Sequence, residues 1–239
     1  MSATITFTID GVEIKGRPGQ TIMQAAEEAG VYIPRLCHCK ELVPFGSCRV
    51  CTVMVNGRPQ SACTQPIAEG AVVENNTAKL QHYRRNLIEM LFVEGNHFCP
   101  FCEKSGNCEL QALAYRFGIL APKYPYLFPN REVDASHKDI LIDHNRCVLC
   151  ARCVRASRDL DGKGAFGFVG RGPHKKLAVD SDKGLGGTSV EASDKAASLC
   201  PVGSILRKRV GYAIPIGQRL YDRKPIGSDI EGGNGSPGK

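Results

Sequence analysis

The chain has no apolar run near the roughly 18 residues that a membrane span requires. Its first residues, Met1-Ser2-Ala3-Thr4-Ile5-Thr6, have no basic stretch leading into an apolar one, so no secretory signal is expected. Cysteine, at 12 of 239 residues, falls short of the roughly 8–10% that marks a disulfide-stapled scaffold. There is no Walker loop, no helix-turn-helix pattern, and no nickel-type Cys-x-x-Cys pair beyond those used below. Gly162-x-Gly164-x-x-Gly167 has the spacing of a dinucleotide fingerprint but not its context. It needs a strand before and a helix after, whereas Arg158-Asp159-Leu160-Asp161 is no buried strand and Phe166-Gly167-Phe168-Val169 reads as extended. These absences argue against a membrane protein, a secreted disulfide scaffold and a nucleotide-binding enzyme. Twelve cysteines without an export signal point to metal or redox chemistry in a cytoplasmic protein.

The cysteines fall into three groups that divide the chain. In the first segment, residues 1–78, Ile5, Phe7 and Ile9 alternate with threonines as in a half-buried strand, and Asp10-Gly11 turns into Val12-Glu13-Ile14. Thr21 with Gln24 forms a capping box for a helix ending at Gly30. Cys51 to Val55, the Asn56-Gly57 turn and Ala71 to Glu74 complete two hairpins and a last strand. The expected fold class is α+β, beginning with a β-grasp ferredoxin. In residues 79–120, Leu80, Tyr83, Leu87 and Leu91 form one apolar stripe and Leu110, Leu113, Ala114 and Phe117 another, with the second cysteine group in the loop between them. Pro122, Pro125 and Pro129 mark residues 121–137 as a linker. Residues 138–209 begin with a strand at Ile140-Leu141-Ile142 and read as a unit like a bacterial ferredoxin. Residues 210–239 carry Ile214, Ile216, Leu220 and Tyr221 without a period. They are expected to be an arm that docks on a partner through Leu220 and Tyr221, followed by a flexible glycine-rich tail.

Cys37-x10-Cys48-x2-Cys51-x11-Cys63 offers a close pair flanked by two distant thiols, the pattern of a plant-type 2Fe–2S site, and Gly46 and Ser47 leave room for the backbone around inorganic sulfur. A zinc ribbon would need two close pairs. Cys39 is left over and is expected to be a packed thiol. Cys147-x2-Cys150-x2-Cys153 has the spacing that caps one face of a 4Fe–4S cubane. The next position of the bacterial motif is Ser157, and the fourth ligand is expected from Cys200-Pro201. Counting back from Cys200 by the same motif lands on Ala196, Ser193 and Val190, as in a two-cluster ferredoxin that has lost one cluster. Cys99-x2-Cys102-x5-Cys108 leaves one position open for a 4Fe–4S site. His97 is the candidate for it, and His82 the weaker one.

The run Phe98-Cys99-Pro100-Phe101-Cys102-Glu103-Lys104-Ser105-Gly106-Asn107-Cys108-Glu109-Leu110-Gln111 resembles the histidine/three-cysteine loop of the large iron–sulfur subunit of respiratory complex I. The Cys48-Arg49-Val50-Cys51 loop is similar to the same family, and the resemblance runs over about residues 1–210. Complex I subunits usually place three residues between the histidine and the first cysteine; here Phe98 stands alone. The chain looks most like the iron–sulfur diaphorase subunit of soluble NAD-reducing nickel–iron hydrogenases. That resemblance implies an electron-transfer subunit with no active site of its own. It implies an FMN/NAD-binding diaphorase subunit on one side, and a small hydrogenase subunit and a nickel–iron large subunit on the other. The chain ends earlier than an iron-only hydrogenase or a complex I subunit would. The electron-transfer subunit of a NAD-dependent formate dehydrogenase is the alternative, and an iron–sulfur DNA-binding sensor a more distant one.

The formal charge of +7 would invite nucleic acid. Oxidised clusters with their ligands would contribute about −2, −1 and −2, leaving about +2. No nucleic-acid or membrane partner is therefore expected. Arg146, Arg152, Arg155 and Arg158 crowd the third group, where cations beside an anionic cluster favour its reduced state.

Overall fold

The computed structural model describes residues 4–231; the glycine-rich stretch from Gly232 that was expected to be flexible lies outside them. Strands β1 (Ile5–Ile9) and β2 (Val12–Gly16) form an antiparallel hairpin. Its turn residues Asp10 and Gly11 have φ of 50° and 82°, the left-handed pair that a two-residue hairpin loop demands. Helix α1 (Ile22–Glu28) starts at the capping box, where Thr21 Oγ1 accepts from the Gln24 amide and Gln24 Oε1 from the Thr21 amide. Gly30, at φ 78°, ends it. A second left-handed turn at Asn56-Gly57 joins β3 (Thr52–Val55) to β4 (Arg58–Ser61). Strand β5 (Val72–Glu74) then enters between the two hairpins, parallel to β1 and antiparallel to β3, giving the order β2-β1-β5-β3-β4. Alternation along β1 sends Phe7 and Ile9 inward, and with Ile22, Met23, Ile33, Val53 and Val73 they form a core that belongs to this unit alone.

Helix α2 (Ala78–Glu94) is capped by Thr77. Its buried face is not the expected stripe. Leu80, Arg84, Ile88 and Val93 point inward, Leu87 and Leu91 are half-buried, and Tyr83 is exposed. The stripe is rotated because a buried arginine occupies the middle of it. Helix α3 (Glu109–Arg116) buries Leu110, Leu113 and Ala114, with Phe117 beyond its end and Gly118 at φ 62°, as expected from the sequence. The expected linker has no regular element until β6 (Val133–Asp134), which pairs with β7 (Ile140–Asp143) and so ties the linker's end into a sheet.

Helix α4 (Arg152–Asp159) follows the third cysteine group. The hairpin of β8 (Phe166–Val169) and β9 (Lys176–Val179) and the short helix α5 (Lys195–Ser198) come next. Gly162 and Gly164 thus lie between a helix and a strand and Gly167 within that strand, the reverse of a dinucleotide fold. Strand β10 (Ile205–Arg207) returns antiparallel to β7 with Ile205 opposite Ile142. Helices α2 through α5 and these strands share one second core, which also takes in Leu36, Leu42 and Val50 from the first segment. Of the positions counted back from Cys200, Ala196 and Val190 are buried and Ser193 is exposed. The buried Ser157 caps the turn with an Oγ that accepts from the Ala165 amide at 3.0 Å.

The C-terminal arm lies on its own chain. Tyr212 donates to the Phe101 carbonyl at 2.5 Å, and the Leu220 and Tyr221 amides donate to Asn107 Oδ1 and the Gly106 carbonyl at 2.9 Å. Helices α6 (Leu220–Arg223) and α7 (Ser228–Glu231) follow. Tyr221 packs against the second core, Ile226 and Ile230 are buried, and Arg116 pairs with Glu231. Leu220 and Ile216 stay exposed, at 60% and 84%. Of the two anchors expected for a partner, Tyr221 is therefore engaged within the chain, because its ring completes the apolar surface beside α3. Among the described residues no helix is long and apolar enough to cross a membrane.

Candidate metal centres

The first centre lies at the seam of the two cores. Cys51 and Cys63 belong to the core of the sheet unit, while Cys48 packs against the larger one. The four sulfurs stand as two pairs. The Cys51 and Cys63 sulfurs are 3.4 Å apart. Cys37 and Cys48 exchange N–H···S bonds, Cys37 N to Cys48 Sγ at 3.3 Å and Cys48 N to Cys37 Sγ at 3.5 Å. Two pairs of thiols are what two irons need. The Cys48 thiol donates to Cys37 and holds it well below the ordinary thiol range, down to about 6; the Cys51 thiol lowers Cys63 in the same way. The loop is shaped by Gly46 and by Arg49, the latter left-handed at φ 59° although it carries a side chain. Such turns aim successive amides inward and form concavities that suit anions, iron–sulfur clusters among them. The amides of Ser47 and Val50 bond to Cys37 and Cys48 respectively. Cys39 is outside these pairs and packs, half-buried, on the larger core.

The third group closes through the sheet. Pairing of β7 with β10 carries the loop after Asp143 beside the loop after Cys200, and the Asp143 amide donates to the Ser204 carbonyl at 2.7 Å. Cys147, Cys150, Cys153 and Cys200 line one small pocket whose other walls include Leu149, Phe168, Leu177 and Ile205. Leu149 and Ala151, between the cysteines, are left-handed at φ 51° and 60°. The amides of Leu149 and Arg152 bond to the sulfurs two residues before them. Burial pushes the Cys150 thiol up to about 12, so a bound metal must displace its proton.

The middle group lines a small pocket with His97, Cys99, Cys102 and Cys108 on its walls. Cys108 caps α3, its sulfur accepting from the Gln111 amide at 3.5 Å. Burial drives the His97 ring down to about 4, so it is neutral at neutral pH. The ring hydrogen-bonds to the Leu91 carbonyl, and its Nε2 is buried with no hydrogen-bond partner. A deprotonated ring nitrogen without a partner, in a pocket walled by three thiols, can serve as a fourth donor there. Gly95 makes room for it, since a Cβ there would fall 2.5 Å from Nε2. His82 is exposed and bonds to Asn86 on its own helix, away from the cavity.

Clusters fit these donor sets. Among the described residues no three His, Cys, Asp or Glu side chains converge on one point as the ligands of a single ion do.

The three groups are also joined to one another, which sequence spacing did not reveal. The amide of Glu109, next to Cys108, donates to the carbonyl of Pro201, next to Cys200, at 2.8 Å. Gly203 lies so close that a Cβ would stand 2.5 Å from Cys102 Sγ. Arg146 donates to Cys102 Sγ at 3.5 Å and pairs with Glu103 and Asp143 at 3.0 and 2.9 Å. Arg152, buried between Cys150 and Cys153, grips both Glu109 carboxylate oxygens at 2.5 and 2.6 Å and the His38 carbonyl at 2.7 Å. Arg155 donates to the Cys37 carbonyl at 2.6 Å. Of the four arginines noted in the sequence, these three are structural clamps; only Arg158 is a solvated side chain, paired with Asp159.

Comparison with known proteins agrees with this arrangement. Residues 2–78 match the family model of a 2Fe-2S iron-sulfur cluster binding domain, 84–122 the NADH-ubiquinone oxidoreductase-G iron-sulfur binding region, and 138–206 the ferredoxin-like domain of NADH-quinone oxidoreductase subunit 3. Fold and sites together define a multi-cluster iron–sulfur electron-transfer protein. The chain is 43% identical to the NAD-reducing hydrogenase HoxS subunit gamma of Cupriavidus necator, over 93% of this chain and 95% of that one. It belongs to this family of iron–sulfur electron-transfer subunits of NAD-reducing hydrogenases. A chain in a crystal structure of an NAD+-reducing NiFe-hydrogenase in the H2-reduced state superposes with a TM-score of 0.90 at 49% identity, covering 93% of this chain and 95% of that chain. The mitochondrial NADH-ubiquinone oxidoreductase 78 kDa subunit of Neurospora crassa is 33% identical over 88% of this chain, which spans only 28% of that protein. These relatives favour the hydrogenase reading over formate dehydrogenase.

Proposed function

We propose that this chain is a three-cluster electron relay between a flavin- and NAD-binding diaphorase subunit and a hydrogenase module made of a small subunit and a nickel–iron large subunit. In this reading Cys37, Cys48, Cys51 and Cys63 hold a 2Fe–2S cluster. His97, Cys99, Cys102 and Cys108 hold one 4Fe–4S cluster, and Cys147, Cys150, Cys153 and Cys200 the other. The clusters supply one-electron transfer; FMN and the nickel–iron site belong to the partners, and the chain has no active site of its own. Residues 1–78 are a β-grasp ferredoxin unit, for which the β2-β1-β5-β3-β4 order speaks. Residues 79–120 and 138–209 are the two 4Fe–4S units, and the protein works in the cytoplasm.

The observation that carries this reading is the joining of three sulfur-lined sites by buried side chains and backbone bonds. The arginine clamps hold the sites in fixed relation, and the apolar walls keep water from them. The part of the arm left exposed, Ile214, Ile216 and Leu220, is the surface offered to a partner. The test is turnover. Alone and free of flavin, the chain is expected neither to reduce NAD nor to take up hydrogen; joined to the diaphorase subunit, it is expected to couple NADH oxidation to an artificial acceptor. NADH turnover by the flavin-free chain would overturn the relay.

A further inference from the structure

Arg84 is the buried charge that the three sites leave unexplained. It projects from the middle of α2 and is 1% exposed. Its Nη1 donates to the Asn75 carbonyl, and its Nη2 to Asn75 Oδ1 and the Thr52 carbonyl, each at 2.8 Å. Its Nε is buried with no partner. No carboxylate among the described residues lies within ion-pair distance of it. Asp10 is nearby, but its Oδ1 is taken by the Asn75 and Asn76 amides. A cation held by neutral acceptors alone is expensive to bury. The Thr52 carbonyl that the guanidinium grips belongs to the residue directly after Cys51, one of the four sulfurs of the first centre.

We infer that Arg84 is the buried countercharge of the first centre: it raises that cluster's reduction potential and fastens α2 to the sheet unit when the cluster is in place. This rests on the reading that Cys37, Cys48, Cys51 and Cys63 hold a 2Fe–2S cluster. A guanidinium beside such a group interacts more strongly with its reduced, more negative form. The two 4Fe–4S sites lie in the other core and should not feel the change to the same degree. Arg84 would thus be a positioning and tuning residue, acting through the protein on a cluster it does not ligate.

Two variants test this in the full, cluster-loaded chain, by redox titration followed by electron paramagnetic resonance. Arg84→Met removes the charge. Asn75→Asp keeps the guanidinium and puts a carboxylate against Nη2, which pairs the cation without opening a cavity. Both are expected to lower the 2Fe–2S midpoint potential and leave the two 4Fe–4S potentials unchanged, while Arg84→Lys stays close to the unaltered chain. If Arg84→Met does not hold its cluster, Asn75→Asp decides. An unmoved 2Fe–2S potential in Asn75→Asp, with the 2Fe–2S signal present in the unaltered chain, overturns the inference alone. Absence of a 2Fe–2S signal from the unaltered chain overturns the cluster assignment and the inference with it.

Discussion

The sheet unit and the rest of the chain are built on different plans. The sheet unit has a private core, and its cysteine loop leans outward: Cys51 and Cys63 face that core, whereas Leu36, Leu42 and Val50 of the same loop are buried in the other. The two later cysteine groups share one core, and two backbone bonds, Glu109 N to Pro201 O and Asn96 N to Asn145 O, join their neighbourhoods. Units that look serial in sequence are therefore of two kinds in space. The first should lose or keep its cluster largely by itself. The other two should rise and fall together, with Arg152 and Glu109 the one joint common to all three.

The largest effect is expected from breaking that joint. Glu109→Ala strands the buried Arg152 guanidinium, a loss of about 3–5 kcal/mol for a buried pair missing one partner. Thermal unfolding of the loaded chain should drop accordingly, and all three cluster signals should become labile. Should only the middle signal suffer, the joint is local. Phe7→Ala is next. It opens a cavity in the private core at a cost of about 3–5 kcal/mol, and it should cost the 2Fe–2S signal while both 4Fe–4S signals persist on spectroscopic titration. Simultaneous loss of all three would mean that the two cores are one cooperative unit.

Cys200→Ser sharpens the contrast from the other side. It removes one sulfur from the third site and disturbs the Pro201 and Gly203 contacts on the middle one. Both 4Fe–4S signals should weaken while the 2Fe–2S spectrum stays intact; an untouched middle signal would separate sites that the contacts join. The smallest change is His97→Cys. Its thiolate adds one negative charge where neutral imidazole had none, so the middle cluster should persist with a lower midpoint potential. An unchanged potential would point to a donor other than His97.

Local rules made much of this legible in the sequence. The hairpin turns at Asp10-Gly11 and Asn56-Gly57, the Thr21 capping box, the strand ahead of Cys147 and the α3 stripe are set by neighbours a few residues apart, and all are present as read. The cysteine sets that spacing grouped are brought face to face, and His97 with the middle one. The inward face of α2 departs from the expected stripe because it runs Leu80, Arg84, Ile88, and an arginine breaks an apolar count even at perfect helical spacing. The 80/84/88 period was the available signal. The clamps of Arg152 on His38 and Arg155 on Cys37 span more than a hundred residues, and nothing in either local sequence announces the other. The course of the arm is hidden for the same reason: without periodicity, only its contacts with Phe101, Gly106 and Asn107 reveal where it lies.

The central claim is that one chain carries three iron–sulfur centres, and the most direct measurement is the metal content of protein purified without oxygen. One 2Fe–2S and two 4Fe–4S clusters predict about ten irons per chain, matched by acid-labile sulfide, with zinc near zero. About six irons, or zinc in stoichiometric amount, would contradict it and show that one of the three cysteine sets holds something else.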